Sequence, residues 1–346
     1  MPKTTTIPYH RDQPADAQKL YDKRSTRYDS SWHPRFARHI VELISPEPGE
    51  SVLDLACGTG LVTFPAADAV GSDGKVIGVD ISSGMLTQAR SKQDKAKTTN
   101  VHFFNHSVTD LTTLDPIRDE KFDVLTCVSA LVLFPNAAEA LKQWTSRFLK
   151  PGGRMVVDVP HPRCQLGFLT LERVGKALNR PVPSYRLPFQ QPSDLESMLA
   201  AAGLESISIR LLSQQDRAVN GNEDEDEDCG TEELQDFICD FAKPVLGDAF
   251  EAREADLMFE KVVDTIYGEV LAGEDVRPKA KKLFRREWAK LVGDGSFGGV
   301  PGTIEEVDGV FVGIGYRAVV EGRQSETVLG KRKADCPAEE DRQGVE

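Results

Sequence analysis

The sequence lacks any run of about 18 or more consecutive apolar residues, so no membrane-spanning helix and no membrane partner are expected. Its opening stretch, Met1 to Lys19, is polar and has no apolar core of a secretory leader. Cysteine is sparse. Cys57, Cys127, Cys164, Cys229, Cys239 and Cys336 lie far apart with no C-x-x-C pair, which argues against a disulfide framework and a zinc cluster and fits a reducing, cytoplasmic compartment. No other metal-ligand spacing stands out. Positive charge is also short: 42 Lys and Arg stand against 55 Asp and Glu, a formal net charge of −13 that disfavours nucleic acid as a partner. The densest basic group, Arg277 to Arg286, is brief and reads as a solvated helix face.

What is present is an alternation of strand-like and helical segments between residues 49 and 160. Ser51–Leu55, Lys75–Val79, Val101–Phe104, Phe122–Cys127 and Arg154–Val159 are short and rich in β-branched residues, as strands buried on both faces should be. Leu61–Val70, Gly84–Lys92 and Ala137–Leu149 read as the crossover helices, the last stopped by Lys150-Pro151-Gly152-Gly153. Ser193–Ala202 reads as a helix with Ser193 as N-cap, followed by a strand at Ile207–Leu211. The acidic run Glu223–Asp228 opens a stretch with three amphipathic patterns, centred on Leu234–Phe241, Leu257–Val270 and Leu283–Leu291. Val310–Val320 then reads as a strand that returns to the sheet. The expected class is α/β: a Rossmann-like, seven-stranded, mostly parallel sheet with helices on both faces and a helical insertion before the last strand.

The chemistry concentrates where the first strand runs into Asp54-Leu55-Ala56-Cys57-Gly58-Thr59-Gly60 and a helix. Glycine lets backbone approach a ligand closely, and a helix start offers free N–H groups. Asp80 ends the second strand 20 positions after Gly60, where a carboxylate can accept both hydroxyls of a ribose. The third glycine of a dinucleotide fingerprint is replaced by Thr63, and there is no G-x-x-x-x-G-K-[ST] loop. A nucleoside without a pyrophosphate is therefore the better ligand.

These residues resemble motif I and its acidic partner in class I S-adenosylmethionine-dependent methyltransferases. Phe122-Asp123-Val124-Leu125 and Leu149-Lys150-Pro151-Gly152-Gly153-Arg154 continue the resemblance, which covers roughly residues 25 to 210. Tyr21-Asp22-Lys23-Arg24 to Tyr28-Asp29, with Trp32-His33-Pro34-Arg35-Phe36, is similar to the N-terminal helix of the ubiquinone-biosynthesis-like, small-molecule branch. The resemblance implies S-adenosylmethionine as cofactor and a small-molecule methyl acceptor, in secondary or quinone-type metabolism.

By position, it implies that Gly58, Gly60 and Ala56 line the methionyl end and that Asp54 reaches the amino group. Asp80 would hold the ribose and Ile81 would flank adenine. Ser107 and Val108 would meet adenine, with Asp110 as an alternative to Ser107. Cys127, Val128 and Ser129 would stand beside the sulfonium, and Tyr28 with Trp32 would form an aromatic wall. Each has a plainer alternative: Asp54 capping the turn, Asp80 capping the next helix, Cys127 and the aromatics as core. A base would help deprotonate a hydroxyl, thiol or acidic C–H acceptor, and His161 and His33 are the candidates, with loop-ordering or packing roles as alternatives.

The expected organisation is a flexible 1–20, a helical lid 21–48, a methyltransferase core 49–212, an acidic loop and helical insertion 213–305 that caps the site or serves as a packing appendage, a final strand 306–320 and a disordered tail 321–346. A monomer or homodimer is expected. A protein or RNA methyltransferase is the alternative, disfavoured by charge and by Ser129-Ala130-Leu131-Val132 where an N-P-P-Y base-site motif would stand. A cofactor-binding regulator or non-methylating enzyme on the same fold is the other.

Overall fold

The computed structural model describes residues 13–31, 33–161, 164, 166–182, 184–186, 188–213, 252–263, 265, 268–293 and 309–319. The sheet contains β1 (Ser51–Leu55), β2 (Lys75–Asp80), β3 (Val101–Asn105), β4 (Phe122–Cys127), β5 (Leu149–Pro160), β6 (Leu204–Ser213) and β7 (Gly309–Arg317). Its order is β3-β2-β1-β4-β5-β7-β6. The first five strands pair in parallel, and β7 runs antiparallel between β5 and β6. The connections leave β1 in opposite directions, toward β2 and then toward β4, so a crevice opens at the carboxyl ends of these strands.

The helices are α1 (Gln13–Arg24), α2 (His33–Ile44), α3 (Thr63–Val70), α4 (Ser83–Ala96), α5 (Ala137–Phe148), α6 (Leu166–Ala177), α7 (Pro192–Ala201), α8 (Ala252–Val263) and α9 (Arg277–Gly293). Strand alternation divides the core. Leu53, Leu55, Leu125, Met155 and Val157 pack on one face with Trp144 and Phe148 of α5. Val52, Val124 and Val156 face the other way, against Phe36 and Ile40 of α2 and Ala66 and Val70 of α3. Asp54 and Asp158 share the parity of this second set.

Several boundaries differ from the sequence reading. Helix α1 begins at Gln13, inside the stretch expected to be flexible, because Ala17 and Leu20 are buried. Helix α7 is capped by Gln191 and Asp194 rather than by Ser193, the box closing one residue pair earlier with Pro192 in the first turn. Strand β5 already starts at Leu149, paired with Phe122, and Lys150–Gly153 form an irregularity before Arg154 pairs with Val124. Helix α6 is absent from the sequence reading. It joins α8 and α9 in a separate core containing Leu169, Phe259, Val262 and Phe284, which gives the insertion its packing surface. The basic residues of α9 are largely neutralised there: Lys281 pairs with Glu260, Arg285 with Asp256, and Arg277 with Glu260. The acidic run, the pattern at 234–241 and the 321–346 tail lie outside the described residues.

Candidate active site

The first strand ends in a carboxylate that is almost fully buried. Asp54 Oδ1 accepts a hydrogen bond from Thr126 Oγ1 of β4 and Oδ2 one from Thr63 Oγ1 of α3, both at 2.6 Å. The residue standing in the third-glycine position thus ties the helix to the strand. Burial pushes the Asp54 carboxyl up to about 6, opposed in part by these two hydroxyls.

The turn beyond it winds through left-handed conformations at Ala56, Gly58 and Gly60. The two glycines serve different ends. A side chain at Gly58 would meet nothing within 4 Å, so this backbone faces open space, whereas one at Gly60 would lie 2.7 Å from the Phe64 ring. Gly58 therefore lines the crevice and Gly60 lets α3 close on the turn; Gly60 belongs to neither cavity wall described below, contrary to the expectation that both glycines line the ligand.

Asp80 closes the same turn from β2. Its Oδ2 accepts the Gly58 N–H at 2.8 Å and its Oδ1 the Ser82 N–H at 2.7 Å. Ser82, not Asp80, is the N-cap of α4, accepting from the Met85 N–H. Burial raises the Asp80 carboxyl to about 6, against the lowering effect of the two backbone donors. Asp80 remains in the wall of an open cavity, about 650 Å³ including the solvent space at its mouth, together with Ile81, Met85, Ser107, Val108 and Thr109 on one side and Val128, Ser129, Ala130, Leu133 and Phe134 on the other. A second, smaller open cavity, about 360 Å³ including the solvent space at its mouth, is walled by Asp54, Cys57, Leu61, His33 and Phe36. Tyr28, Ala56, Gly58, Val128 and Ser129 belong to both walls, so the two spaces adjoin.

The N-terminal segment covers them. Ala17 and Tyr21 of α1 and Tyr28 line the larger cavity. Asp22 fastens α1 to the start of α4 by accepting from Ser82 Oγ at 2.6 Å and from the Gly84 N–H at 2.8 Å, a favourable place for an anion. Asp29 accepts from Thr59 Oγ1 at 2.5 Å and pairs with Lys92 at 2.7 Å, pinning the segment to the glycine turn itself. None of these contacts was singled out from the sequence; the acids were visible, but their partners are 30 or more positions away.

Other expected residues separate into two groups. Ser107 lines the larger cavity and N-caps the short helix Val108–Thr113, whereas Asp110 is turned back on Thr113 and lines neither cavity. Cys127 is fully buried and lies outside both walls, a correction with a simple cause. It has the parity of Leu125 and points into the α5 side of the core, and burial pushes its thiol up. His33 is in the wall of the smaller cavity, its Nδ1 2.6 Å from Ser31 Oγ and its ring 4.4 Å from that of Tyr28. His161 lies at the end of β5 but in neither wall; its ring rests 4.9 Å from that of Phe311 and its carbonyl accepts from Arg186. Trp32 lies outside the described residues. Among the described residues, no three His, Cys, Asp or Glu side chains gather to hold a metal ion, and none from 252 to 293 lines either cavity.

A family model described as a methyltransferase domain matches residues 46–192, from just before β1 to the first residue of α7. Over these residues the chain carries a methyltransferase domain of the class I S-adenosylmethionine-dependent kind. Demethylmenaquinone methyltransferase of Shouchella clausii is 28% identical over 207 residues, covering 56% of this chain and 86% of that protein. The enzyme of the same name from Lactococcus lactis is 35% identical over 143 residues, 41% of this chain and 55% of that one. The crystal structure of the [4+2]-cyclase SpnF shares the fold, with a TM-score of 0.51 at 16% identity over 90% of this chain and 99% of that one. The cofactor of this methyltransferase is S-adenosylmethionine.

Proposed function

We propose that this methyltransferase transfers a methyl group to a small, largely apolar acceptor carrying ring hydroxyls, of the quinol type. Asp80 would accept the ribose hydroxyls, Ile81, Ser107 and Val108 would enclose adenine, and Gly58, Ala56 and Asp54 would hold the methionyl end in the smaller cavity. Bound S-adenosylmethionine supplies a sulfonium-activated methyl group. The protein's part is mainly positioning: displacement in which charge disappears gains from collinear alignment in a dry space rather than from a strong base.

The observation that carries this reading is the joined pair of cavities with the Asp80 carboxylate bonded to Gly58 in the wall. The acceptor class is supported by the apolar flank of Ala17, Ala130, Leu133 and Phe134 and by the relatives named demethylmenaquinone methyltransferase. Of the two histidines, His33 would be the one to meet the ligand, since it lines the smaller cavity, and we assign His161 to loop ordering. Segment 13–44 acts as the lid, through Asp22 and Asp29. A cytoplasmic enzyme of quinone-type or secondary metabolism, working as a monomer or homodimer, completes the proposal; the buried thiols of Cys57 and Cys127 suit a reducing compartment.

The test is labelled-methyl transfer from S-adenosylmethionine to fractionated small-molecule extract, protein and RNA. Label entering a lipophilic small-molecule fraction is the expected result. Label confined to protein or RNA would reject the acceptor class while leaving the cofactor site standing.

A further inference from the structure

The turn after β4 contains a polar group that bonds to nothing among the described residues. Ser129 Oγ is buried and has no hydrogen-bond partner among the described residues. An unsatisfied buried hydroxyl is a standing cost that needs an explanation, and a ligand group is one. Ser129 also adopts a left-handed conformation, φ 56°, which glycine or asparagine would take more easily. A turn that needed only this backbone shape had a cheaper residue available. The shape is held from behind: the Ser129 N–H donates to Asp158 Oδ1 of β5 at 2.5 Å, next to the point where Cys127 pairs with Val157.

Topology tells what the hydroxyl would meet. Strands lie β2-β1-β4, so the turns after β2 and β4 are separated by two strand spacings, about 10 Å. A nucleoside clasped at its ribose by Asp80 and crossing the glycine turn brings its transferable methyl toward β4. Ser129 stands there, in the wall common to both cavities, and Ala130, Leu133 and Phe134 continue that wall as apolar surface.

We propose that Ser129 orients the methyl acceptor by hydrogen-bonding a hydroxyl on an apolar ring, and that Asp158 is the positioning residue that fixes Ser129 in its turn. This inference rests on the methyltransferase reading of the site. The ligand class it selects is an aromatic alcohol or quinol, since the apolar wall takes the ring and the lone hydroxyl takes the oxygen.

The test uses the full chain loaded with S-adenosylhomocysteine and two probes, 1,4-naphthalenediol kept reduced under argon and naphthalene, titrated by fluorescence. Wild type should favour the diol. S129A should weaken the diol about five- to tenfold, the loss of one hydrogen bond, and change naphthalene and S-adenosylhomocysteine affinity less than twofold. D158A should weaken the diol similarly, whereas D158N, whose amide oxygen still accepts the Ser129 N–H, should retain most of the preference. Where D158A does not fold, D158E, which is too long for the turn, replaces it. Equal losses for both probes, no loss in S129A, or a wild type that binds neither probe or prefers neither would overturn the proposal, while intact S-adenosylhomocysteine binding would keep the methyltransferase reading. A wild type that failed to bind S-adenosylhomocysteine would remove both.

Discussion

The two halves of the crevice are built differently. On the β1–β2 side the carboxylates are engaged by donors of the protein itself: Asp54 by Thr63 and Thr126, Asp80 by Gly58 and Ser82. On the β4–β5 side Asp158 is as deeply buried, yet among the described residues it receives the Ser129 N–H with no cation beside it, and the Ser129 hydroxyl has no partner. The first half is set before any ligand arrives, and the second is finished by one. A site that must bind one constant cofactor and one particular acceptor gains from that division, because preorganised groups lower the cost of binding while an unmet polar group penalises the wrong guest.

The largest expected effect lies in the preorganised half. Asp80→Ala removes charge-assisted hydrogen bonds worth about 1.5–3 kcal/mol, so S-adenosylhomocysteine affinity should fall roughly ten- to hundredfold. Calorimetry showing undiminished affinity would exclude the ribose role. The same carboxylate makes a pH prediction. With Asp80 raised to about 6, it is ionised at neutrality and protonated on acidification, so affinity should weaken as pH drops through about 6. Asp80→Asn should lose that part of the dependence, and an identical profile in the variant would assign it elsewhere.

Next in size is Gly60→Ala. The added carbon would meet Phe64 at 2.7 Å in a left-handed conformation, which should destabilise the fold by about 1–3 kcal/mol. Gly58→Ala has the same backbone strain but open space before it, so it should cost less stability and more cofactor affinity. Denaturant melts paired with calorimetry separate the two, and equal behaviour would erase the distinction between a packing glycine and a lining glycine.

Asp158 sharpens the contrast from the other side. Burial pushes its carboxyl up to about 7, far above its unfolded value. The native state therefore keeps a proton that the unfolded chain has already released, and this group's contribution to stability declines as pH rises from about 4 to 7. Asp158→Asn removes that decline while keeping an acceptor for Ser129. Its melting temperature should exceed wild type by several degrees at pH 8 and by much less at pH 5, following about 1 kcal/mol per several degrees in a small domain. A gain independent of pH would show that Asp158 does not titrate in this range.

The same division explains what could be read from the chain itself. The glycine turn, Asp80 and the strand order are local: a few adjacent residues dictate the turn, and strand–helix alternation dictates the sheet. The placement of Cys127 follows from strand parity with Leu125, which outweighs its nearness to the carboxyl end of β4. The buried face of helix α6 packs against α8 and α9, which arrive 75 or more residues later. Nor could any pattern pair Asp22 with Ser82, or Asp158 with Ser129, since each depends on side chains meeting across elements.

The smallest effect concerns the lid. Lys23 of α1 bonds to Glu269 at 3.0 Å, with Lys19 at 3.8 Å, so the covering segment touches the helical insertion, whose described residues stay out of both cavities. Both partners are about half exposed, which limits such a pair to about 0–1 kcal/mol. Glu269→Gln should therefore raise the S-adenosylhomocysteine off-rate no more than about threefold at low salt, and the difference should vanish near 0.5 M salt, where the screening length is only a few Å. Stopped-flow release at the two ionic strengths checks this. A change of tenfold or more, or one that persists in high salt, would mean that the insertion governs the lid through packing and not through this ion pair, and the two halves of the crevice would then share a third, distant support.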